Sequence, residues 1–165
     1  MNKIILFLFG VWAFSFTTNV SAANEVKGTF TVDGKSIQIT NVYAFAQKGF
    51  FDPAKDDVVV LMCDAAVSDA GIRDPFERKD LVKADKLHCV QQTINSEGQV
   101  INFKVEHSKF KMPESGGSTE QVFEKKTADG KTIAGRAYTK SPQKSFEDVP
   151  YTYDITFTAA ILPKK

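Results

Sequence analysis

The feature that most constrains the fold is an unbroken run of six apolar residues, Val58 to Cys63, in the middle of the chain. A charged side chain bounds it on each side, Asp57 before it and Asp64 after it. A strand with one face in water alternates apolar and polar residues, whereas a short continuous run is typical of a strand covered on both faces. The sequence therefore predicts a buried central strand, with the rest of the chain arranged to cover it.

Most of the remaining chain alternates apolar and polar residues, as half-buried strands do. Two predicted hairpins turn at Asp33-Gly34 and Asp129-Gly130, because these dipeptides suit the positive φ angles of tight turns. The most regular strand, Tyr151 to Ile161, closes the chain, and one short helix is predicted from Asp74 to Lys86. We therefore expect an all-β domain over residues 23–165, an antiparallel β-sandwich or barrel of about eight strands with one short helical insertion.

The first 22 residues have the organisation of a secretory signal peptide. Lys3 supplies the positive charge, an apolar stretch follows, and Val20-Ser21-Ala22 offers the small residues that a signal peptidase requires. We expect cleavage after Ala22 and export to the bacterial periplasm or the extracellular space, with no stable membrane anchor left. An uncleaved anchor is the alternative, but the apolar run is shorter than the roughly 20 residues that span a bilayer.

Cys63 and Cys89 are the only cysteines of the chain. An even number in an exported protein favours a disulfide, and closing this loop stabilises the fold by roughly 3 kcal/mol. A reactive thiol beside His88 is the alternative, but neighbouring residues of a strand point to opposite faces. We therefore expect Cys63 and Cys89 to be bonded to each other.

The charge composition argues against nucleic acid as a partner. Lys3 is the only charged residue of the first 22, which leaves 20 basic and 20 acidic side chains in the rest of the chain. Proteins that bind DNA or RNA concentrate positive charge, because phosphate contacts dominate their affinity. The single tryptophan, Trp12, also lies in the predicted signal peptide, so the remaining chain lacks the largest aromatic surface for sugar binding.

The sequence contains no recognisable catalytic or metal-binding motif. His88 and His107 are the only histidines, and no zinc, serine-nucleophile or phosphate-binding spacing includes them. His107 falls on the apolar face of a predicted strand, so we interpret it as a histidine at the edge of the core. An acidic loop with Asp52, Asp56 and Asp57 is interpreted as solvated rather than as a calcium site. The sequence thus predicts no catalytic residue, no metal and no cofactor.

Three loops are predicted to carry recognition, because binding residues are commonly placed on loops of a rigid scaffold. Loops 47–57, 108–119 and 141–150 each combine large apolar side chains with charged residues, a mixture typical of protein interfaces. The predicted partner-binding residues are Phe50, Phe51, Phe110, Met112 and Phe146. For Phe50 and Phe51, capping one end of the core is an alternative. The favoured function is an exported, non-enzymatic protein that recognises or inhibits another exported protein.

Two other functions are left open. A carrier of an apolar small molecule is the first, because an eight-stranded barrel encloses room for one small ligand. A hydrolase of cell-wall or extracellular polymers is the second, and it requires a cleft in which His88 or His107 meets a carboxylate.

Several short motifs occur in a fixed order along the chain. They are Gly28 with Val32-Asp33-Gly34-Lys35, Val42-Tyr43-Ala44-Phe45, the central run before Asp64, Ala134-Gly135-Arg136, and Tyr153-Asp154 with Phe157 and Ala159. In these motifs the chain resembles a group of small exported bacterial proteins of unassigned activity. The resemblance extends over nearly all of residues 23–165. It implies export and a β-rich fold, and it implies no catalytic residue.

Overall fold

A computed structural model describes residues 24–164 of the protein, so the predicted signal peptide (residues 1–22) lies outside the described residues. The strands are β1 Glu25–Val32, β2 Lys35–Gln38, β3 Asn41–Lys48, β4 Asp56–Cys63, β5 Cys89–Ile94, β6 Val100–Glu106, β7 Glu114–Gly116, β8 Gln121–Ala128, β9 Thr132–Thr139, β10 Gln143–Lys144 and β11 Pro150–Leu162. The helical segments are α1 Asp69–Arg73, a 3-10 helix Pro75–Arg78, and α2 Lys79–Lys83. In this part of the chain, no helix is long and apolar enough to span a bilayer.

The eleven strands form one curled, mixed sheet with the shape of half a barrel. Its order is β2-β1-β11-β3-β4-β5-β6-β7, while β9 and β10 also pair with β11, and β8 pairs with β9. The pairing of β11 with β3 is parallel, and the other pairings between described strands are antiparallel. The all-β prediction of an antiparallel sandwich or barrel with about eight strands is confirmed in its class, but the eleven strands form a mixed half-barrel and not a closed antiparallel sandwich.

Strand β11 joins the two halves of this sheet. Its first part lies between β1 and β9, and its last residues, Ile161 and Leu162, pair with Ala44 and Phe45 of β3. Gly28 of β1 lies against this strand at a position where a Cβ would come 2.2 Å from the carbonyl oxygen of Asp154. A side chain at Gly28 would therefore push β1 away from β11.

Strand β4 is covered on both faces, as its unbroken apolar run predicted. Val60 and Met62 face the main core, which fills the concave side of the sheet. Leu61 and Cys63 face the other way, into a smaller cluster under the helical segments that includes Val82. The alternation of β4 thus places every second side chain in the main core, and the others lie in two smaller clusters on the opposite face, one of which joins Val59 to Ile72.

The helical insertion differs from the predicted single helix. It consists of three short segments between Asp69 and Lys83. Asp74 caps the 3-10 helix, its Oδ1 accepting from the backbone N–H of Phe76 at 2.8 Å. Phe76 is 81% exposed, whereas Arg78 is buried. The segment is therefore anchored to the sheet through a charged side chain as well as through Val82.

The second predicted strand is also interrupted. A continuous strand after the Asp33-Gly34 turn would have Ile39 on the same face as Tyr43 and Phe45, but the strand is broken at Ile39 and Thr40. There it leaves β1 for β4, since Ile39 donates to Gly28 and Thr40 donates to Cys63. This change of partner reverses the faces, so Ile39 lies in the main core and Phe45 lies under α1.

Candidate functional site

Strand pairing brings the two histidines together at one end of β4, β5 and β6. The cysteines form a disulfide, as predicted, and Cys63 pairs directly with Cys89 across β4 and β5. Cys89 is opposite Glu106 in the β5–β6 pair, so the residues just outside it, His88 and His107, are neighbours. Their ring centroids are 4.5 Å apart. We call Asp64, Asp85, His88, His107 and Ser108 the histidine cluster.

His88 is held by two carboxylates. Its Nδ1 lies 2.7 Å from Oδ2 of Asp64, and its Nε2 lies 3.0 Å from Oδ1 of Asp85. Asp64 also accepts from the backbone N–H of His88 at 2.8 Å. The hydrogen bond with Asp64, assisted by Asp85 and opposed by burial, raises the pKa of His88. Burial of the Asp64 carboxylate acts to raise its pKa, but the side-chain and backbone hydrogen bonds from His88 together lower it.

Asp85 lies at the open side of the histidine cluster. Its φ angle of 59° places it in the left-handed region, at the end of the turn after α2. The hydroxyl of Ser108 donates to the same carboxylate oxygen that contacts His88, and these two hydrogen bonds lower the pKa of Asp85. Ser108 thus contacts a carboxylate, and among the described contacts it has no imidazole to act as its base.

His107 lies on the apolar side of the histidine cluster. Its ring packs against Phe30 and Phe110 at centroid distances of 6.0 and 5.6 Å, and it is 8% exposed. Its Nδ1 accepts from the backbone N–H of Lys109 at 3.0 Å. Burial, together with the neighbouring charge of His88, lowers the pKa of His107 to about 4. His107 is therefore neutral at pH 7, and it lies beside an imidazole whose charged form is favoured by two carboxylates.

A groove of about 650 Å³ adjoins the histidine cluster, and His107 belongs to its wall. Three large apolar side chains around it are mainly exposed: Phe76 (81%), Met112 (62%) and Phe146 (75%). They come from three separate segments, the 3-10 helix, the loop after β6 and the loop after β10. Apolar surface of this kind, gathered in one concavity, is typical of a binding site.

Four lysines give the groove a positive rim. They are Lys79, Lys83, Lys104 and Lys111. Glu106 is the acidic residue of the wall, but it is 2% exposed and its Oε2 lies 2.7 Å from Nη2 of Arg78. The charge presented to a ligand is therefore positive. We call this feature the lysine-rimmed groove.

The Arg78–Glu106 pair positions one wall of the groove. Arg78 is 1% exposed, and besides Glu106 it donates to the carbonyl oxygen of Gly71 in α1. The pair therefore holds α1 and the 3-10 helix against β6. This anchoring leaves Phe76, Lys79 and Lys83 at the edge of the groove instead of inside the protein.

The structure separates the predicted partner-binding residues into three groups. Met112 and Phe146 are exposed at the lysine-rimmed groove. Phe110 also borders it, but its side chain is 6% exposed and belongs to the main core. Phe50 and Phe51 are exposed, with ring centroids 5.0 Å apart, and they do not cap the core.

Phe50 and Phe51 lie at the opposite end of the central strands from the histidines. Their loop joins β3 to β4, and Lys55 in it approaches Glu97 of the β5–β6 turn at 3.7 Å. At the start of β4, Asp57 is buried and its Oδ2 accepts from the backbone N–H of Phe50 at 2.9 Å. This part of the acidic loop therefore has a structural role.

Sequence reasoning missed Phe76, the lysines of α2 and the carboxylates of the histidine cluster. Lys79 and Lys83 are four residues apart, the spacing that places two side chains on one face of a helix, so this signal was readable. The pairing of His88 with His107 was not readable from the turn alone, because a β-bulge shifts the β5–β6 register between Thr93 and Ile94.

Comparisons with models of protein families, with curated proteins and with solved structures gave no match for this chain.

Proposed function

We propose that this protein is a binding protein whose lysine-rimmed groove takes an acidic segment with hydrophobic side chains from a partner protein. One observation carries the proposal: Phe76, Met112 and Phe146 are exposed around the same concavity as four lysines. Apolar anchors inside a polar, charged rim are the usual anatomy of a protein interface. The positive rim favours a partner with carboxylates next to its apolar residues.

The groove supports this function better than the two alternatives considered from the sequence. Core side chains, among them Phe30, Tyr153 and Ile155, fill the concave side of the half-barrel where a carried ligand would have to lie. A hydrolase would need a free imidazole beside a carboxylate in a cleft, but both ring nitrogens of His88 are engaged by carboxylates. His107 lies in the groove wall, but its ring packs against Phe30 and Phe110 and its Nδ1 accepts from the backbone N–H of Lys109. A non-enzymatic binding function therefore fits the arrangement best.

The direct test is binding of a fluorescent peptide that alternates Glu or Asp with Leu or Phe, followed by anisotropy. Phe146→Ala is expected to weaken binding roughly tenfold, because it removes an exposed apolar anchor. Phe50→Ala is the matched control, since Phe50 is also a Phe with a similar exposure, 77% against 75%, at the other end of the strands. Neither substitution should change the melting temperature.

The contribution of the lysine charges to peptide binding is tested separately. Lys83→Glu should weaken the peptide and flatten the dependence of its affinity on salt, whereas Lys126→Glu, on the exposed part of β8, should change neither. Equal losses of peptide affinity from Phe50→Ala and Phe146→Ala would contradict the proposal. So would saturable binding of laurate in the groove together with no binding of the peptide, since the site would then be one for a lipid anion.

We also propose that the protein acts after export, in the bacterial periplasm or outside the cell. The Cys63–Cys89 disulfide supports this, because such bonds form and persist in oxidising compartments. Expression of the full-length chain in a bacterial host, followed by fractionation and intact mass measurement, tests it. We expect an exported form that begins at Ala23, and a cytoplasmic protein of full mass would contradict export.

A further inference from the structure

The histidine cluster brings together the donor atoms of a metal site. One ring nitrogen each from His88 and His107 and a carboxylate oxygen of Asp85 lie within 4.8 Å of one another. Two imidazoles and a carboxylate are ligands suited to zinc and related divalent transition metals. No sequence motif indicates this site, because these residues are spread over 23 positions and follow no metal-binding spacing.

The surroundings of His88 match those of a metal-bound histidine. In such sites the ring nitrogen that does not bind the metal commonly donates to a carboxylate, which fixes the orientation of the ring. Asp64 has this position, with its Oδ2 at 2.7 Å from Nδ1 of His88 and its Oδ1 accepting from the backbone N–H of the same residue. Nε2 of His88 is thereby directed towards Asp85.

The frame of the cluster is rigid on one side and adjustable on the other. Asp64 and His88 directly adjoin the disulfide-bonded Cys63 and Cys89, and the backbone N–H of Asp64 donates to the carbonyl of His88. Asp85 has a side chain that is 68% exposed. Ligand atoms around tetrahedral zinc are roughly 3.4 Å apart. Oδ1 of Asp85 and Nε2 of His88 are already 3.0 Å apart, and no two donors of the cluster are more than 4.8 Å apart, so small side-chain shifts bring them to this spacing.

We propose that His88, His107 and Asp85 bind a divalent transition-metal ion of the Zn²⁺ class, with Asp64 orienting His88 from behind. The exposed position of Asp85 leaves the ion accessible to solvent, with room for water as a further ligand. The site adjoins the lysine-rimmed groove, because His107 belongs to both. The proposal does not depend on what the groove binds.

Coordination has a necessary consequence at Lys109. Its backbone N–H now donates to Nδ1 of His107. If Nδ1 binds the ion, its lone pair is no longer available to Lys109. If Nε2 binds instead, the proton of the neutral ring must move to Nδ1, which then cannot accept. Either way the amide of Lys109 loses its acceptor, so its amide resonance must shift when the metal binds.

The experiment is a titration of EDTA-treated full-length protein, with its disulfide formed, by Zn²⁺ in a chelator competition assay. We expect one equivalent to bind, and His88→Gln, His107→Gln and Asp85→Asn each to weaken it at least tenfold. Asp64→Asn should weaken it roughly 10- to 100-fold without removing a ligand. Asp148→Asn is the matched control, because Asp148 is also exposed and has the same φ of 59°.

The NMR titration of the unaltered chain does not depend on the variants folding. A shift of the Lys109 amide that saturates at one equivalent of Zn²⁺, and is not produced by Mg²⁺, is the expected result. An unmoved Lys109 amide at saturation, binding that all three ligand substitutions leave intact, or no saturable binding up to millimolar Zn²⁺ would overturn the proposal.

Discussion

His88 and His107 show how two neighbouring residues of the same type acquire opposite protonation behaviour. His88 has a carboxylate at each ring nitrogen, so its pKa is raised and the charged form is favoured. His107 is packed among aromatic rings and faces the charge of His88, so the pKa of His107 falls to about 4. Each ring therefore contributes to the free energy of unfolding in a different pH range.

The neutral His107 makes the fold sensitive to mild acid. Its folded pKa lies below the unfolded value of about 6.5, so the stability it contributes is complete above pH 6.5 and is lost as the pH falls towards 4. The titratable groups around it are His88, Asp64, Asp85 and Lys109. In EDTA, urea unfolding at pH 7 and pH 5 should show a smaller pH effect for His107→Gln than for the unaltered chain.

The control for this prediction is a substitution in a ring pair outside the cluster. Phe51→Ala removes an exposed ring of the β3–β4 loop and should leave the pH dependence unchanged. If His107→Gln retained the full loss of stability between pH 7 and pH 5, the sensitivity would have to come from other groups.

At the residue scale, the sequence identified aromatic side chains of the loops but not their exposure. Phe110 and Phe76 have similar polar neighbours in the sequence, yet one is 6% exposed and the other 81%. Phe110 turns inward because its ring fits between His107 and Tyr151, residues that are distant in the chain. Such a difference depends on tertiary contacts, so local patterns do not contain it.

At the scale of elements, the strands followed from the two-residue period, and the pairing details did not. Strand β4 was readable because a continuous apolar run has one simple interpretation. The break at Ile39–Thr40 and the bulge at Thr93–Ile94 are local changes of backbone geometry that alter which residues pair. The residue types at these positions do not reveal them. The bulge also decides that His88 lies beside His107, so the candidate site was less predictable than the sheet.

The helical insertion depends on one buried ion pair. Glu106→Gln keeps the shape of the side chain but leaves Arg78, which is 1% exposed, without a charged partner. Removing one partner of a buried pair costs about 3–5 kcal/mol, so we expect a loss of this size in urea unfolding. Hydrogen exchange should show the loss of protection concentrated in residues 69–83, with weaker peptide binding at the groove.

The matched variant replaces both members of the pair. Arg78→Met with Glu106→Leu leaves no unpaired charge, and apolar replacements of this kind often restore stability. We therefore expect the double variant to be more stable than Glu106→Gln alone. A cost below about 1 kcal/mol for Glu106→Gln would mean that the helical segments are held to β6 by Val82 and its neighbours instead.

At the scale of the whole molecule, the half-barrel has two sheet regions that are joined by a short strand pairing. Strand β11 connects the two regions through its pairing with β3. The second region contains the central strands β4 and β5, with the disulfide between them. Both cysteines are fully buried and directly paired across the two strands. The covalent bond therefore holds the region that carries both the histidine cluster and one wall of the groove.

Reduction of this disulfide is expected to destabilise the whole protein without removing the strand pairing. The bond closes a loop with a sequence separation of 26, and in the chain-entropy model such a loop contributes roughly 3 kcal/mol by restricting the unfolded chain. Urea unfolding of the oxidised and reduced forms of the same chain measures this difference, with Cys63→Ala/Cys89→Ala as the comparison that also removes the sulfurs. The reduced form should remain folded at low urea, because β4 still pairs with β3 and β5 over its length. Equal midpoints for the oxidised and reduced chains would show that the unfolded state is already restricted there, and the stability of this region would then rest on packing of β4 alone.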